Sequence, residues 1–326
     1  MKAAIYHNND DIRIEEMPVP TLEEGEILVR MKASGICGTD LMEWYRTKKA
    51  PRVLGHEMTG VVCESRSSLF KPGQRVFVSH HVPCNNCKYC NEGNYTACET
   101  LHTGNYYPGG FSDYIRVPAL NVTAGTFELP DHVGFEEGTL TEPLACAIRA
   151  QEQTGIKKGH TVLVVGCGFS GLLNIMLAHK TGAKVIATEI NAYRADLAKK
   201  CGAGEVYHPY KLPSIQADRV IVCTDAYGAS EQAFRSIERK GTILFFAIPF
   251  EAISLPNVDF WRNEWTITSS YGAGPDDLKS ALQIISDGSA PIGIIKTRIF
   301  PLSEIQAGFK IAAEGDRVLK VIICPD

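Results

Sequence analysis

Short apolar runs broken by Gly, Pro and Asn fill the first part of the chain, and their patterning predicts strands over 26–32, 58–64, 75–79 and 111–117. That texture is an irregular β domain. From about Gly159 the pattern changes to strands alternating with helices: a strand over 161–165, a helix from Ser170, a strand over 185–189 and a helix over 192–201. The alternation continues with a strand at 219–223, a helix at 230–239 and strands at 242–248 and 265–269, which predicts a parallel sheet covered by helices. A helix at 276–287 then precedes strands at 296–300 and 319–324, and these can complete the sheet of the first domain. The expected organisation is therefore 1–145, an inserted domain at 146–273, and a returning segment at 274–326.

A chain of 326 residues is long enough for two cores, in line with that division. The net charge of -4 is spread over interspersed acids and bases, so no broad positive field recruits nucleic acid or an anionic membrane. The longest apolar stretch, 243–250, is far too short to span a bilayer, and the opening MKAAIYHNNDDIRIEE has no targeting pattern. A cytoplasmic protein is expected.

Four of the eleven cysteines, Cys84, Cys87, Cys90 and Cys98, follow C-x2-C-x2-C-x7-C. Four soft sulfurs so close together suit one Zn²⁺. A ferredoxin-type run would bring its fourth cysteine after three residues and follow it with proline, whereas here seven residues intervene and Glu99 follows. With four protein ligands no position is open to substrate, so this zinc reads as structural. The seven remaining cysteines are scattered and odd in number, as expected of reduced thiols.

Gly166-Cys167-Gly168-Phe169-Ser170-Gly171 is G-x-G-x-x-G, entered by an apolar strand and left by a helix. In that setting the glycines allow a tight turn, close approach of a pyrophosphate and close helix packing. Glu189, 18 residues past Gly171, is placed to accept the ribose hydroxyls and to repel a 2′-phosphate, which predicts NAD rather than NADP. Arg194 lies five residues further and is a candidate partner for a phosphate.

Upstream, Gly35-Ile36-Cys37-Gly38-Thr39-Asp40 is followed by Gly55-His56-Glu57, and far downstream by Glu142-Pro143-Leu144. A thiolate, an imidazole and a carboxylate form an incomplete set suited to a catalytic zinc with one open position. Taken with the cysteine lobe and the glycine turn, in this order, these motifs resemble the zinc-dependent medium-chain dehydrogenases over essentially the full length. The nearest branches are the sorbitol, threonine and secondary-alcohol dehydrogenases.

The resemblance implies a GroES-like irregular β-barrel catalytic domain joined to a Rossmann doubly wound parallel sheet. It further implies two Zn²⁺ per chain, NAD(P) as cofactor, and hydride transfer between a secondary alcohol, polyol or 3-hydroxy amino acid and that cofactor through a zinc-bound alkoxide. Cys37 and His56 bind the catalytic zinc in this reading, Glu142 is the direct or water-mediated third ligand, and Glu57 is a close partner able to exchange with it. Thr39 carries the proton outward. No histidine occurs over 41–46, where the animal and yeast alcohol dehydrogenases end their relay, so the proton is expected to leave through Glu57 and water. Trp44, Tyr45, Arg46, Asn105, Tyr106, Tyr107 and Phe111 are candidate substrate-facing residues. A homotetramer or homodimer is expected. The rival readings are a zinc-ribbon regulator of nucleic acids and a metal-free relative of the quinone-reductase kind.

Overall fold

In the computed structural model, which describes residues 1–250 and 252–326, the strand Ile27–Gly35 is the spine of the first unit, buried along most of its length. It runs antiparallel to Glu57–Ser65 on one side, with Gly35 opposite Glu57. On the other side it pairs antiparallel with Tyr114–Val117 near its start and with Lys320–Cys324 near its end, where Ile322 stands opposite Gly35. Arg75–Ser79 and Thr126–Glu128 extend the sheet beyond Glu57–Ser65, and Thr297–Pro301 lies parallel to Lys320–Cys324.

A second, three-stranded sheet joins the hairpin Lys2–Asn8 and Asp11–Glu16 to the short strand Arg52–Val53. The sequence pattern does not reveal that hairpin, because its outer strand is largely exposed and polar. One apolar cluster holds Tyr6, Val53, Phe111, Phe309 and Val321 together, and another gathers Val29, Met31, Met58, Val76 and Ile115. The unit comprises Met1–Ala145, Gly272–Asp287 and Lys296–Asp326, so the returning strand belongs to it.

The second unit, Cys146–Tyr271 with Gly288–Ile295, is built on six parallel strands. Their spatial order is Glu205–Tyr207, Lys184–Thr188, Thr161–Val165, Ala217–Val222, Ile237–Phe245 and Thr266–Ser269. Relative to chain order this is 3-2-1-4-5-6, the doubly wound arrangement, with its switch point at the end of Thr161–Val165. The helix expected over 230–239 is Ala229–Ser236, because Ile237 turns into the core beside Phe234 and Trp265 and starts the next strand. Helix Thr141–Thr154 buries Leu144 and the small residues Ala145, Ala147 and Ala150.

Ile322 is fully buried and holds the register between Gly35 and the returning strand. Ile322→Ala is expected to cost about 2–5 kcal/mol, read as a lower denaturant midpoint for the first unit with an unchanged slope.

Candidate active site and metal centres

The pairing of Gly35 with Glu57 and with Ile322 draws three distant segments to one end of the sheet. Cys37 follows Gly35 by two residues, His56 precedes Glu57, and Lys320 precedes Ile322 by two. One ligand atom each of Cys37, His56 and Glu57 lies within 4.8 Å of the others. Such a set could hold Zn²⁺ and leave a coordination position open. Glu142 is outside this group, although its charge acts on the buried Tyr106. Of the two glutamates expected near the metal, it is Glu57 that groups with the thiolate and imidazole.

Asp40, wholly buried, ties the set together. Its Oδ2 accepts the Cys37 N–H at 3.1 Å, and its Oδ1 lies 3.5 Å from His56 Nδ1 and 3.2 Å from Arg46 Nη2. Burial alone would raise the Asp40 pKa, but the His56 and Arg46 charges and the Cys37 N–H outweigh it and hold the carboxyl below its usual range. Burial likewise works against a charged His56, yet Asp40 and Cys37 raise its pKa well above the ordinary value. With Asp40 on Nδ1, the ring presents Nε2 toward the ligand set, as carboxylate-oriented metal histidines do. Thr39 Oγ1 donates to Cys37 Sγ at 3.4 Å and accepts from Arg46 Nη2 at 2.8 Å.

Glu57 forms an ion pair with Lys320, and both are buried. Lys320 Nζ also donates to Ile36 O at 3.0 Å. A Cβ on Gly35 would overlap Glu57 Oε2 and approach Lys320 Cε to 2.9 Å, so glycine is what leaves space for the pair. Sequence reasoning missed Lys320. Its signal is one lysine inside the apolar run Val318–Ile323, where only a buried partner makes a cation tolerable. Glu57 itself is fully buried, so a proton reaching it meets solvent only through other groups.

Because Ser79 pairs with Glu57, the following His80 and His81 come alongside His56, with ring centroids 6.4 and 6.5 Å away. Their own nitrogens, His80 Nδ1 and His81 Nε2, are 3.4 Å apart. Burial, then the neighbouring histidine charges, depress both, His81 to about 3, so both rings are neutral near pH 7. Of the expected substrate-facing residues, Trp44, Tyr45 and Tyr107 are exposed. Tyr106 and Phe111 are core residues instead, each inside an apolar cluster.

The sulfurs of Cys84, Cys87, Cys90 and Cys98 all lie within 4.8 Å of one another. Separations of 3.5 Å (Cys87–Cys90) and 3.9 Å (Cys84–Cys90) bracket the value of about 3.8 Å set by a tetrahedron with Zn–S near 2.3 Å. They are far from the S–S bond of about 2.05 Å. Burial opposes ionisation of Cys98, but the N–H groups of Cys84, Leu101 and Thr100 outweigh it and bring the thiol down to about 6. A sulfur so disposed toward thiolate is ready for a metal.

In the second unit the glycine turn sits at the switch point of the sheet. Gly166 has φ +88°, and a Cβ on Gly171 would overlap Gly166 O, so the chain's own packing explains both. Gly168 differs: a Cβ there would meet nothing within 4 Å, and its φ of -64° suits any residue. The room it leaves is what a pyrophosphate needs. Phe169 and Ser170 open helix Phe169–Thr181, whose start carries no side-chain cap, a setting in which helix N-termini bind phosphate.

Glu189 is more occupied than expected. Its Oε2 accepts from Cys167 N at 2.7 Å, and its Oε1 accepts from Ile190 N and Asn191 N at 2.9 Å each. Three of roughly four acceptor sites on the carboxylate are thus filled, so it cannot take both ribose hydroxyls without releasing a backbone group. Arg194 stands in the first turn of Ala192–Lys200, its N–H on Asn191 Oδ1 at 3.1 Å, with its charge acting on Cys167.

Residues 23–131 match the alcohol dehydrogenase GroES-like domain and residues 171–287 the zinc-binding dehydrogenase domain. An alcohol dehydrogenase of Geobacillus stearothermophilus is 31% identical, over 98% of this chain and 96% of that protein. The chain belongs to the zinc-binding alcohol dehydrogenase family. Sorbitol dehydrogenase of Bacillus subtilis is 29% identical over 100% of this chain and 98% of its own length. A Sinorhizobium meliloti protein solved with NADP bound superposes with a TM-score of 0.87 at 27% identity, over 99% of each chain.

Within this zinc-binding dehydrogenase the Glu57–Lys320 pair is a direct target. Lys320→Met leaves a buried carboxylate without its counter-ion and is expected to cost about 3–5 kcal/mol, with Lys320→Arg recovering part of the loss in chemical denaturation. Unchanged stability in Lys320→Met would remove the pair from the account.

Proposed function

We propose that the chain is an NAD-dependent zinc dehydrogenase that oxidises a secondary alcohol or polyol. One observation carries this: a single unit contains a closed set of four sulfurs and, separately, an open set of thiolate, imidazole and carboxylate. In this reading Cys84, Cys87, Cys90 and Cys98 hold a structural zinc. Cys37, His56 and Glu57 hold the catalytic one, with Glu142 the reserve carboxylate.

When bound, zinc lowers the pKa of a substrate hydroxyl and NAD takes up the hydride from its carbon. The chain's residues supply orientation and a proton path. Asp40 fixes the imidazole, and Lys320 restrains the Glu57 carboxylate. Thr39 Oγ1 can accept a hydrogen bond from the substrate hydroxyl, but relaying a proton requires release of its own, now donated to Cys37 Sγ, and Arg46 beyond it is a donor only. We assign the exit to water around this set, with His80 and His81 as neutral hydrogen-bonding neighbours whose low pKa keeps them from holding the proton.

Glu189 favours NAD by repelling a 2′-phosphate. A relative with NADP motivates the second reading, in which Arg194 takes that phosphate. A homotetramer or homodimer is expected to assemble through an edge strand such as Thr266–Ser269, one of the sheet's two edges, since the apolar strand Ile237–Phe245 is interior to the sheet. We place the protein in the cytoplasm, where thiolates stay reduced, acting on a small molecule rather than on nucleic acid or membrane.

Elemental analysis should find two zinc ions per chain, falling to one in both Cys37→Ser and Cys90→Ser. Cys37→Ser should lose alcohol oxidation yet keep NADH binding by fluorescence, whereas Cys90→Ser should first lower the melting temperature. Full activity in Cys37→Ser would refute the assignment. In steady-state assays NAD should exceed NADP at least about tenfold in kcat/KM, corresponding to about 1.4 kcal/mol. Glu189→Ala should narrow that ratio, and a wild-type preference for NADP would favour the Arg194 reading.

A further inference from the structure

Thr39 and Arg46 stand seven residues apart across two short helical turns, Gly38–Leu41 and Glu43–Arg46, a spacing that returns the later side chain to the earlier residue. Arg46 grips both oxygens of Thr39. Its Nε donates to Thr39 O and its Nη2 to Thr39 Oγ1, each at 2.8 Å. The second Nη2 proton is available to Asp40 Oδ1, 3.2 Å away. The guanidinium carbon lies 5.1 Å from the centre of the Tyr45 ring, and only 16% of the Arg46 side chain is exposed. No acceptor on this arginine is left to bind anything, so its use must lie in what it orients.

A threonine hydroxyl has one proton and two acceptor sites. Here the proton goes to Cys37 Sγ at 3.4 Å and one acceptor site takes the Arg46 N–H, so a single acceptor site remains. Without the arginine this arrangement has a competitor, because threonine in a helical turn also swings its Oγ1 back to a carbonyl three or four residues earlier. Donation from a charged group further polarises the hydroxyl toward the sulfur that it faces. Both effects act two residues from a metal donor and none of them requires Arg46 to reach it.

We propose that Arg46 is a positioning residue for alcohol oxidation: by holding Thr39 at its carbonyl and hydroxyl it fixes the Oγ1 rotamer, keeping the proton on Cys37 Sγ and the one open acceptor site for the substrate hydroxyl. This inference rests on the dehydrogenase reading and adds to it a residue that touches neither substrate nor metal. A lysine at position 46 keeps the charge beside Asp40, but one nitrogen in place of a planar fork gives up the two-point hold on Thr39.

The test compares wild type, Arg46→Lys, Thr39→Val and the double variant, each confirmed to hold two zinc ions per chain. With the best substrate from a panel of secondary alcohols and polyols, Arg46→Lys should lower kcat about tenfold at an unchanged KM for NAD. In the Thr39→Val background the same change should cost less than about twofold, since the hydroxyl it positions is gone. A second readout needs no turnover. With Co²⁺ in place of zinc, the thiolate-to-cobalt band of Cys37, taken as the difference from Cys37→Ser, should move to longer wavelength in Arg46→Lys and in Thr39→Val, and no further in the double variant, as a sulfur that loses a hydrogen bond does. Equal slowing by Arg46→Lys in the two backgrounds, the mark of a general structural role, would overturn the inference and leave the dehydrogenase reading intact. So would a wild-type kcat or a wild-type band in Arg46→Lys. A wild-type enzyme inert toward the whole panel overturns both.

Discussion

The buried Glu57–Lys320 pair governs the arrangement of the first unit. Two opposite charges removed from water tolerate little displacement, because separating them leaves each without compensation. The slot that admits them exists only because residue 35 is glycine. A slip of one residue by Lys320–Cys324 against Ile27–Gly35 would turn Lys320 to the opposite face and put an apolar side chain against the carboxylate. The ion pair therefore makes the correct register far better than its neighbours, and the position of Cys37 follows from that register. Sheet pairing and ligand placement are one constraint here.

In the proposed reading the molecule separates a site that stiffens from one that reacts by the number of donors each offers. Four sulfurs leave nothing for a substrate. Three mixed donors, oriented by Asp40 and restrained by Lys320, leave one place. The second unit uses vacancy in a comparable way at Gly168, where the absence of a side chain answers no need of the protein's own packing. Both reactive regions are defined as much by the room they keep as by the groups they present.

What the sequence made legible was local. The four clustered cysteines and the glycine turn lie within short segments, and strand patterns such as 75–79 and 161–165 coincide with Arg75–Ser79 and Thr161–Val165. Residues whose roles depend on distant pairing were hidden. Lys320 acquires its partner only through the return of the last strand, and His80 and His81 reach His56 only because Ser79 faces Glu57. Asp40 appeared merely as the end of a motif, although it orients the histidine. Glu189 was found at the right place, but its commitment to three backbone N–H groups depends on loop conformation, which residue type does not encode. Helix Thr141–Thr154, whose buried side is largely alanine, also went unread.

The Lys320 contact to Ile36 closes across 284 residues, the whole length of the second unit included. During synthesis Cys37, His56 and Glu57 leave the ribosome before the second unit, whereas their restraining cation follows it. A growing or broken chain can thus own every metal donor and still lack the lysine that disciplines them. Completion of the last strand becomes, in effect, the checkpoint that separates a collection of ligands from a working centre.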